Sequence, residues 1–261
     1  VKVDVPDFRA RYLQLYHQRY LRPLKDYLIG SLEYTVPYFA RMPALYNAVM
    51  GAPWVTRLLA RHAGLVDSPL LERFDLRASQ RRFQVRQATP ALLARLSPQE
   101  RQRSVILVQD AFTRYFETPL AAQWIELIAR LGYQVYLAPF SPNGKPLQVQ
   151  GFLGAFKKTA ANTAKGLLAL EQSGIPLVGL DPAMTLVYRQ EYAKTLEQGS
   201  APQVALPQEW LVTALPDTLK HGAPQVYQFL PHCTERTNEP GSVDLWKKVF
   251  EGFGLTLQVL P

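Results

Sequence analysis

Three landmark residues of this sequence recur at one fixed spacing, and this repeat constrains the fold more than any other feature. The first set lies in WIELIARLGYQVYLAP and the second in WKKVFEGFGLTLQVLP: Trp124, Gly132 and Pro139, then Trp246, Gly254 and Pro261. Each copy combines an amphipathic helix, a glycine that stops the helix and a short apolar run typical of a strand. The repeat predicts two related strand–helix–strand units. The second copy stops at its strand, so we expect that unit to be truncated before the turn that follows.

Alternating apolar runs and helical patterns from Ser104 onward predict an α/β fold. Such alternation produces a parallel sheet whose strands are joined by right-handed βαβ crossovers. The segment WLVTAL at 210–215 is predicted as a further strand or a transition. The other predicted strands are short apolar runs: VILV (105–108), VYLA (135–138), PLVGL (176–180), VYQFL (226–230) and TLQVL (256–260).

The pattern divides the chain into three parts. We predict a mainly helical, Arg-rich arm over residues 1–103, a first half-domain over 104–200 and a second, truncated half-domain over 201–261. We predict that the arm begins with a helix from Asp7 to about Leu21. One face of this helix collects apolar residues at helical spacing: Phe8, Tyr12, Leu15, Tyr16 and Tyr20.

The net charge of +8 is concentrated in the arm. Residues 1–104 contain 17 Lys and Arg against eight Asp and Glu, and 15 of these 17 cations are Arg. A basic surface fits membrane headgroups, nucleic acid or another protein domain, or it is simply a solvated helical face. Because Leu, Tyr and Phe are interleaved with the Arg residues, we favour packing against a neighbouring domain and expect no nucleic-acid partner.

The remaining sequence signals exclude several classes of protein. The one cysteine, Cys233, excludes an intramolecular disulfide and fits a reducing compartment. No apolar run approaches the roughly 20 residues that cross a bilayer. There is no phosphate-binding P-loop and no dinucleotide-binding glycine motif. We therefore predict no catalytic residue and no cofactor-binding residue within this chain.

Four polar segments follow predicted strands. In open parallel sheets, ligands bind beyond the carboxyl ends of the strands. This rule selects QDAFTRYF, FSPNGKP, LDPAMTL and PHCTER.

These segments, in this order and with this repeat, resemble the cysteine-rich CCG domain found in large bacterial FAD and iron–sulfur enzymes of the FAD-linked oxidase family. Each half of the family pattern has a Cys after the first strand, Cys-Cys-Gly after the second and Pro-x-Cys after the third. The resemblance implies thiolates that ligate an iron–sulfur cluster.

In the first half of this chain the matching positions hold Asp110, Pro142-Asn143-Gly144 and Pro182-Ala183-Met184. We therefore expect that half to be free of metal. Cys233 matches the first cysteine of the second half, and we expect it to bind metal only within a larger ligand set.

The resemblance also implies a function. The longer enzyme would oxidise a D-2-hydroxy acid with FAD and an iron–sulfur cluster, and this chain would be its non-catalytic scaffold or electron-transfer portion. Its implied partners are the FAD and ferredoxin-like domains of the same polypeptide and an electron acceptor. The implied location is cytoplasmic, at the periphery of the inner membrane if the Arg-rich arm binds lipid. The alternative is a module that binds a partner, an anion or a membrane surface and has no redox role.

Several residues at these segments carry alternative interpretations. Asp110 and Arg114 form either a polar pair at the sheet edge or an internal salt bridge. Asn143-Gly144 is a simple turn or a loop that faces a ligand, and Lys145 pairs with an anion or lies in solvent. His232 joins a metal site or only ends a strand.

Overall fold

The computed structural model describes residues 4–216 and 225–260, and the arm is largely helical. The first helix begins at Val5, because the Asp4 side chain accepts a hydrogen bond from the Asp7 N–H at 3.1 Å. Several later helices begin at proline, whose fixed φ suits the first helical position. The elements of the arm are α1 (Val5–Tyr16), α2 (Leu24–Gly30), α3 (Leu32–Phe39), α4 (Pro43–Met50), α5 (Pro53–Leu58), a π-helical turn (Leu59–Ala63), α6 (Leu76–Arg82), β1 (Arg86–Gln87), α7 (Pro90–Ala94) and α8 (Pro98–Gln102).

A five-stranded parallel sheet forms the centre of the molecule, and this confirms the predicted α/β class. The strand order is β1-β3-β2-β4-β5, with every neighbouring pair parallel. Between and after these strands the chain forms helices that pack on the sheet. The elements are β2 (Ser104–Val108), α9 (Ala111–Tyr115), α10 (Thr118–Arg130), β3 (Gln134–Leu137), α11 (Lys145–Val149), α12 (Leu153–Glu171), β4 (Leu177–Gly179), α13 (Pro182–Arg189), α14 (Glu191–Thr195), β5 (Val204–Ala205) and α15 (Pro207–Ala214).

Alternate residues of the central strands point to two separate cores. Ile106 and Tyr136 pack on one face of the sheet against α12, where Phe156 and Ala160 are buried. Val105 and its neighbours pack on the other face against α10, α15 and the last helix. A strand that is buried on both faces has an unbroken apolar sequence, and for this reason the run VILV predicted the strand β2.

The second half-domain repeats the first at the spacing that the sequence predicts. Two parallel strands, β6 (Val226–Phe229) and β7 (Thr256–Val259), form a separate sheet. Between them lie α16 (Cys233–Asn238) and α17 (Ser242–Gly252). β6 and β7 begin 122 residues after β2 and β3 respectively. Trp124 and Trp246 hold equivalent places on α10 and α17 and both pack against the same core.

Two expectations differ from the structure. The WLVTAL segment is the helix α15, with no strand, because Pro207 starts it and the Leu206 N–H donates to Glu209 at 2.8 Å. Its buried residues, Trp210, Leu211 and Ala214, recur at helical spacing.

The first helix is also shorter than predicted: α1 ends at Tyr16 and not at about Leu21, because Gln18 and Arg19 donate to Leu15 and Tyr16 in tight turns, and Tyr20 therefore lies beyond the helix. The two-residue strand β1 pairs with β3, so the mainly helical arm adds an edge strand to the main sheet.

Among residues 4–216 and 225–260, no helix is both long enough and apolar enough to cross a bilayer.

Candidate functional site

The segments that follow β2, β3 and β4 meet at one edge of the main sheet. These three strands are parallel neighbours, so their carboxyl ends lie side by side. The Asn143 side chain bridges two of the segments by donating from Nδ2 to the Met184 carbonyl at 3.2 Å. Three of the four segments selected from the sequence therefore lie together, whereas the fourth, PHCTER, follows β6 of the separate sheet.

Asp110 caps the short helix that follows β2. Its carboxylate accepts hydrogen bonds from the Phe112 N–H at 2.7 Å and from the Thr113 N–H and hydroxyl at 3.1 and 2.7 Å. Burial raises the pKa of Asp110 to about 6, and the nearby Asp181 carboxylate adds to that increase in pKa.

The expected pairing of Asp110 with Arg114 is wrong. The Arg114 guanidinium donates to the Gln109 side chain at 2.7 Å and lies over the rings of Tyr115 and Phe140. The physical reason is local: the Asp110 oxygens are already turned toward the helix N-terminus, where three donors satisfy them.

The Asn143-Gly144 loop is a buried turn that faces protein. Gly144 has φ of +82°, and a Cβ atom there would lie 2.8 Å from the Phe156 ring. The Asn143 side chain accepts from the Lys145 N–H at 2.9 Å, and the Asn143 carbonyl accepts from the Tyr192 hydroxyl at 2.9 Å. Lys145 forms an ion pair with Glu191 across this turn.

Glu33 of α3 completes the site from the arm. Its two carboxylate oxygens accept the backbone N–H groups of Asn143 at 3.2 Å and Gly144 at 2.7 Å. The side chain is 1% exposed. Burial raises the pKa of Glu33 to about 7, partly offset by these two hydrogen bonds, while Asp110 adds a smaller increase.

Sequence reasoning missed Glu33. The residue lies 110 positions before its partner, and local periodicity carries no information about such a contact. The only available signal is its position in SLEYTVPYF, a mostly apolar helix in which an isolated carboxylate requires a partner.

The second half-domain presents its thiol at the start of α16. His232 caps this helix by accepting the Thr234 N–H on Nδ1 at 3.3 Å, so its ring is used to start the helix. Cys233 is exposed. The thiol lines a cavity of about 720 Å³ together with Asp4, Lys145 and Lys194. The structure thus brings Cys233 and Lys145 to one cavity. Asp110 and Met184 are buried and do not line this cavity.

These donors do not fit an iron–sulfur cluster. Such clusters take about four thiolate ligands, and this chain has one cysteine. Within residues 4–216 and 225–260, no group of three or more His, Cys, Asp or Glu could hold a metal ion. Asp110 and Asn143 have their polar atoms engaged within the protein.

We expect the Cys233 thiol to react fully in the folded chain, because it is exposed. Titration with Ellman's reagent without denaturant is expected to release one equivalent of thiolate dye, equal to the amount released in concentrated urea. A Cys233→Ala chain is the control and should release none. Reaction only after unfolding would contradict this placement of the thiol.

The fold and this edge define a parallel α/β domain with an N-terminal helical extension. The chain is 58% identical over 257 residues to the D-2-hydroxyglutarate dehydrogenase of Pseudomonas putida. It is 41% identical to the proteins of that name from Escherichia coli and Pantoea ananatis. These alignments cover 98–99% of this chain but only 25–26% of each relative, so the chain spans about a quarter of their length.

The chain therefore resembles a C-terminal portion of D-2-hydroxyglutarate dehydrogenases, which are oxidoreductases. No protein-family model matches the chain, so its membership of the CCG domain family stays a prediction. No solved structure matches it either.

Proposed function

We propose that this chain is a non-catalytic scaffold within a larger FAD- and iron–sulfur-dependent D-2-hydroxyacid dehydrogenase, whose substrate is D-2-hydroxyglutarate. The similarity to relatives of that name supports the substrate. FAD bound elsewhere in the longer protein would accept the hydride from the hydroxy acid. The chain described here would hold the arm and the α/β domain together as one support for that chemistry.

The Glu33 contact is the observation that carries the scaffold role. At the sheet edge where a ligand is expected, a carboxylate from the arm occupies the backbone N–H groups of Asn143 and Gly144. Asp110 is engaged by its own helix. When the polar groups at this sheet edge bond to each other, they hold parts of the protein together. Few of them then remain free to bind a substrate or a metal ion.

Cys233 favours a second candidate, a role in the electron path. Its cavity is also lined by the start of α1, including Asp4 and Pro6. Residues of the longer polypeptide would have to supply the remaining ligands of any cluster there. An anion-binding role is less favoured, because Lys145 and Lys194 already pair with Glu191 and Asp4.

Cofactor analysis of the full-length protein distinguishes these roles. We expect a Cys233→Ser enzyme to retain its iron, its acid-labile sulfide and its rate of D-2-hydroxyglutarate oxidation if the chain is a scaffold. Loss of iron and sulfide together, with an intact Thr234→Ala control in the same cavity, would establish Cys233 as a ligand. Absence of D-2-hydroxyglutarate oxidation in the unmodified full-length protein would reject the proposed enzyme class.

A further inference from the structure

The first helix turns its aromatic side to solvent. Phe8 is 67% exposed and Tyr12 is 54% exposed, and Tyr16 and Tyr20 are exposed beside them. Tyr16 stacks on both neighbours, with ring centroids 5.8 Å from Tyr12 and 4.6 Å from Tyr20. We call these four residues the aromatic face. The three stacked tyrosine rings remain exposed although the His17 ring packs edge-on against Tyr16, and with Phe8 they form an apolar surface in contact with water.

The helix that carries this face is firmly attached by its opposite side. Ala10 is fully buried, and Gly151 approaches α1 so closely that a Cβ atom there would lie 2.9 Å from the Ala10 carbonyl. At the helix start, Asp4 pairs with Lys194 of α14. Just beyond the helix, the Arg22 guanidinium lies 3.9 Å from the centre of the Phe152 ring. The exposure of the aromatic face therefore follows from how α1 is seated, since the helix is held by its other side.

Further exposed apolar side chains lie along the rest of the arm. Most of the exposed large apolar side chains among the described residues belong to it. Those on the later helices include Tyr38 and Phe39 on α3, Leu45 on α4, and Trp54 and Leu58 on α5. The concentration of exposed apolar side chains in one part of the chain suits a protein interface better than the scattered apolar residues of an ordinary protein surface.

The cations around this surface favour a protein partner over a lipid one. The first 104 residues use 15 Arg and two Lys, whereas residues 105–261 use four Arg and eight Lys. Protein interfaces are enriched in Tyr, Trp and Arg and depleted in Lys. An anionic lipid surface attracts Lys and Arg alike, so it gives no reason for this preference.

We propose that the aromatic face is covered by the part of the longer polypeptide that the relatives carry outside the region matched by this chain. That part amounts to about three quarters of each relative, so a covering surface of sufficient size is present in the same molecule. Because the two parts share one chain, their effective concentration is high and the contact needs little intrinsic affinity. Because the arm is positively charged, we expect the covering surface to be apolar with acidic residues at its rim. This inference rests on the proposed function only in placing the chain within a longer polypeptide.

Hydroxyl-radical footprinting measures the coverage of these side chains directly. In the full-length protein, oxidation of Tyr12 and Tyr16 is expected to be at least about fivefold slower than in this 261-residue chain, because a packed interface excludes water. The internal control is Leu120, which is 37% exposed on α10 outside the arm and should oxidise equally in both proteins. A Tyr12→Ser/Tyr16→Ser full-length protein should show faster oxidation of Phe8.

Three outcomes would overturn the proposal. Equal oxidation of the aromatic face in both proteins would show that it stays uncovered. Protection of the 261-residue chain by vesicles of phosphatidylcholine and phosphatidylserine, with none in the lipid-free full-length protein, would identify a membrane surface. Protection in the 261-residue chain that grows with its concentration, together with a dimer mass, would identify a second copy. Dehydrogenase activity is assayed separately, so a failed docking proposal does not depend on the proposed reaction.

Discussion

Replacing Gly151 with alanine is expected to lower the free energy of unfolding by about 3 kcal/mol, the sum of backbone strain and overpacking. Gly151 has φ of +72°, where an L side chain is strained. The added Cβ would also lie 2.7 Å from Leu13 Cβ and 2.9 Å from the Gln14 backbone nitrogen. Because backbone atoms of α1 cannot yield individually, the helix has to move away from α11 as a unit. Chemical denaturation of the 261-residue chain measures the loss.

Gly174→Ala is the matched control for this prediction. Gly174 has φ of +73°, and its Cβ would meet nothing within 4 Å. It therefore tests backbone strain alone, for which we expect about 1 kcal/mol. Faster tryptic cleavage at Arg9 and Arg11 should accompany Gly151→Ala only. Equal stability of the two variants would show that the close approach of α1 to Gly151 does not hold the arm.

The sheet was predictable because each central strand is buried on both faces. An apolar run such as VILV, bounded by polar residues and followed by an amphipathic helix, has few other ways to bury itself. The 122-residue repeat added the second half-domain, in which β6 and β7 follow the same order as β2 and β3. Both inferences use patterns that lie close together in sequence.

The helix α15 shows where such patterns fail. A six-residue apolar run is compatible with a strand or a buried helix, and its length does not separate the two. Pro207 and Glu209 at its start are the helix signals that decide the outcome. The Asp110–Arg114 pairing failed for a related reason: a carboxylate at a helix start is satisfied first by the nearest N–H groups.

The Glu33 contact could not be predicted, because it joins segments that only the complete fold brings together. Neither the helix propensity of the arm nor the turn signal of Asn143-Gly144 specifies the other as its partner. The aromatic face of α1 illustrates a similar limit. Periodicity placed Phe8, Tyr12 and Tyr16 on one side of α1, but it carried the helix past Tyr16 and did not reveal that this side faces water.

The burial of Glu33 is expected to make this protein less stable as the pH rises from about 4.5 to 7. Burial raises the pKa of Glu33 from 4.5 to about 7 in the folded chain. Between these two values the folded state keeps a proton that the unfolded state has lost, so unfolding becomes easier with increasing pH. This difference between the folded and unfolded pKa values of Glu33 corresponds to a change of about 3 kcal/mol in the free energy of unfolding. Asp110, whose pKa is raised to about 6, contributes with the same sign at lower pH.

Glu33→Gln isolates this contribution, because it keeps the shape of the side chain and removes its titration. The free energy of unfolding of this variant should change less between pH 5 and pH 8 than that of the unmodified protein. The introduced amide would direct its NH₂ group at one of the two backbone donors, so we also expect the variant to be less stable at pH 5 by about 1–3 kcal/mol.

Glu251→Gln, at an exposed position on α17, is the control and should retain the original pH profile. If Glu33→Gln and Glu251→Gln give the same slope, then Glu33 is ionised throughout this range and its contact with Asn143 and Gly144 is a fixed anionic bond. If only Glu33→Gln flattens the profile, a proton on Glu33 stabilises the folded protein, and the contact between α3 and the sheet edge contributes less to stability as the pH rises.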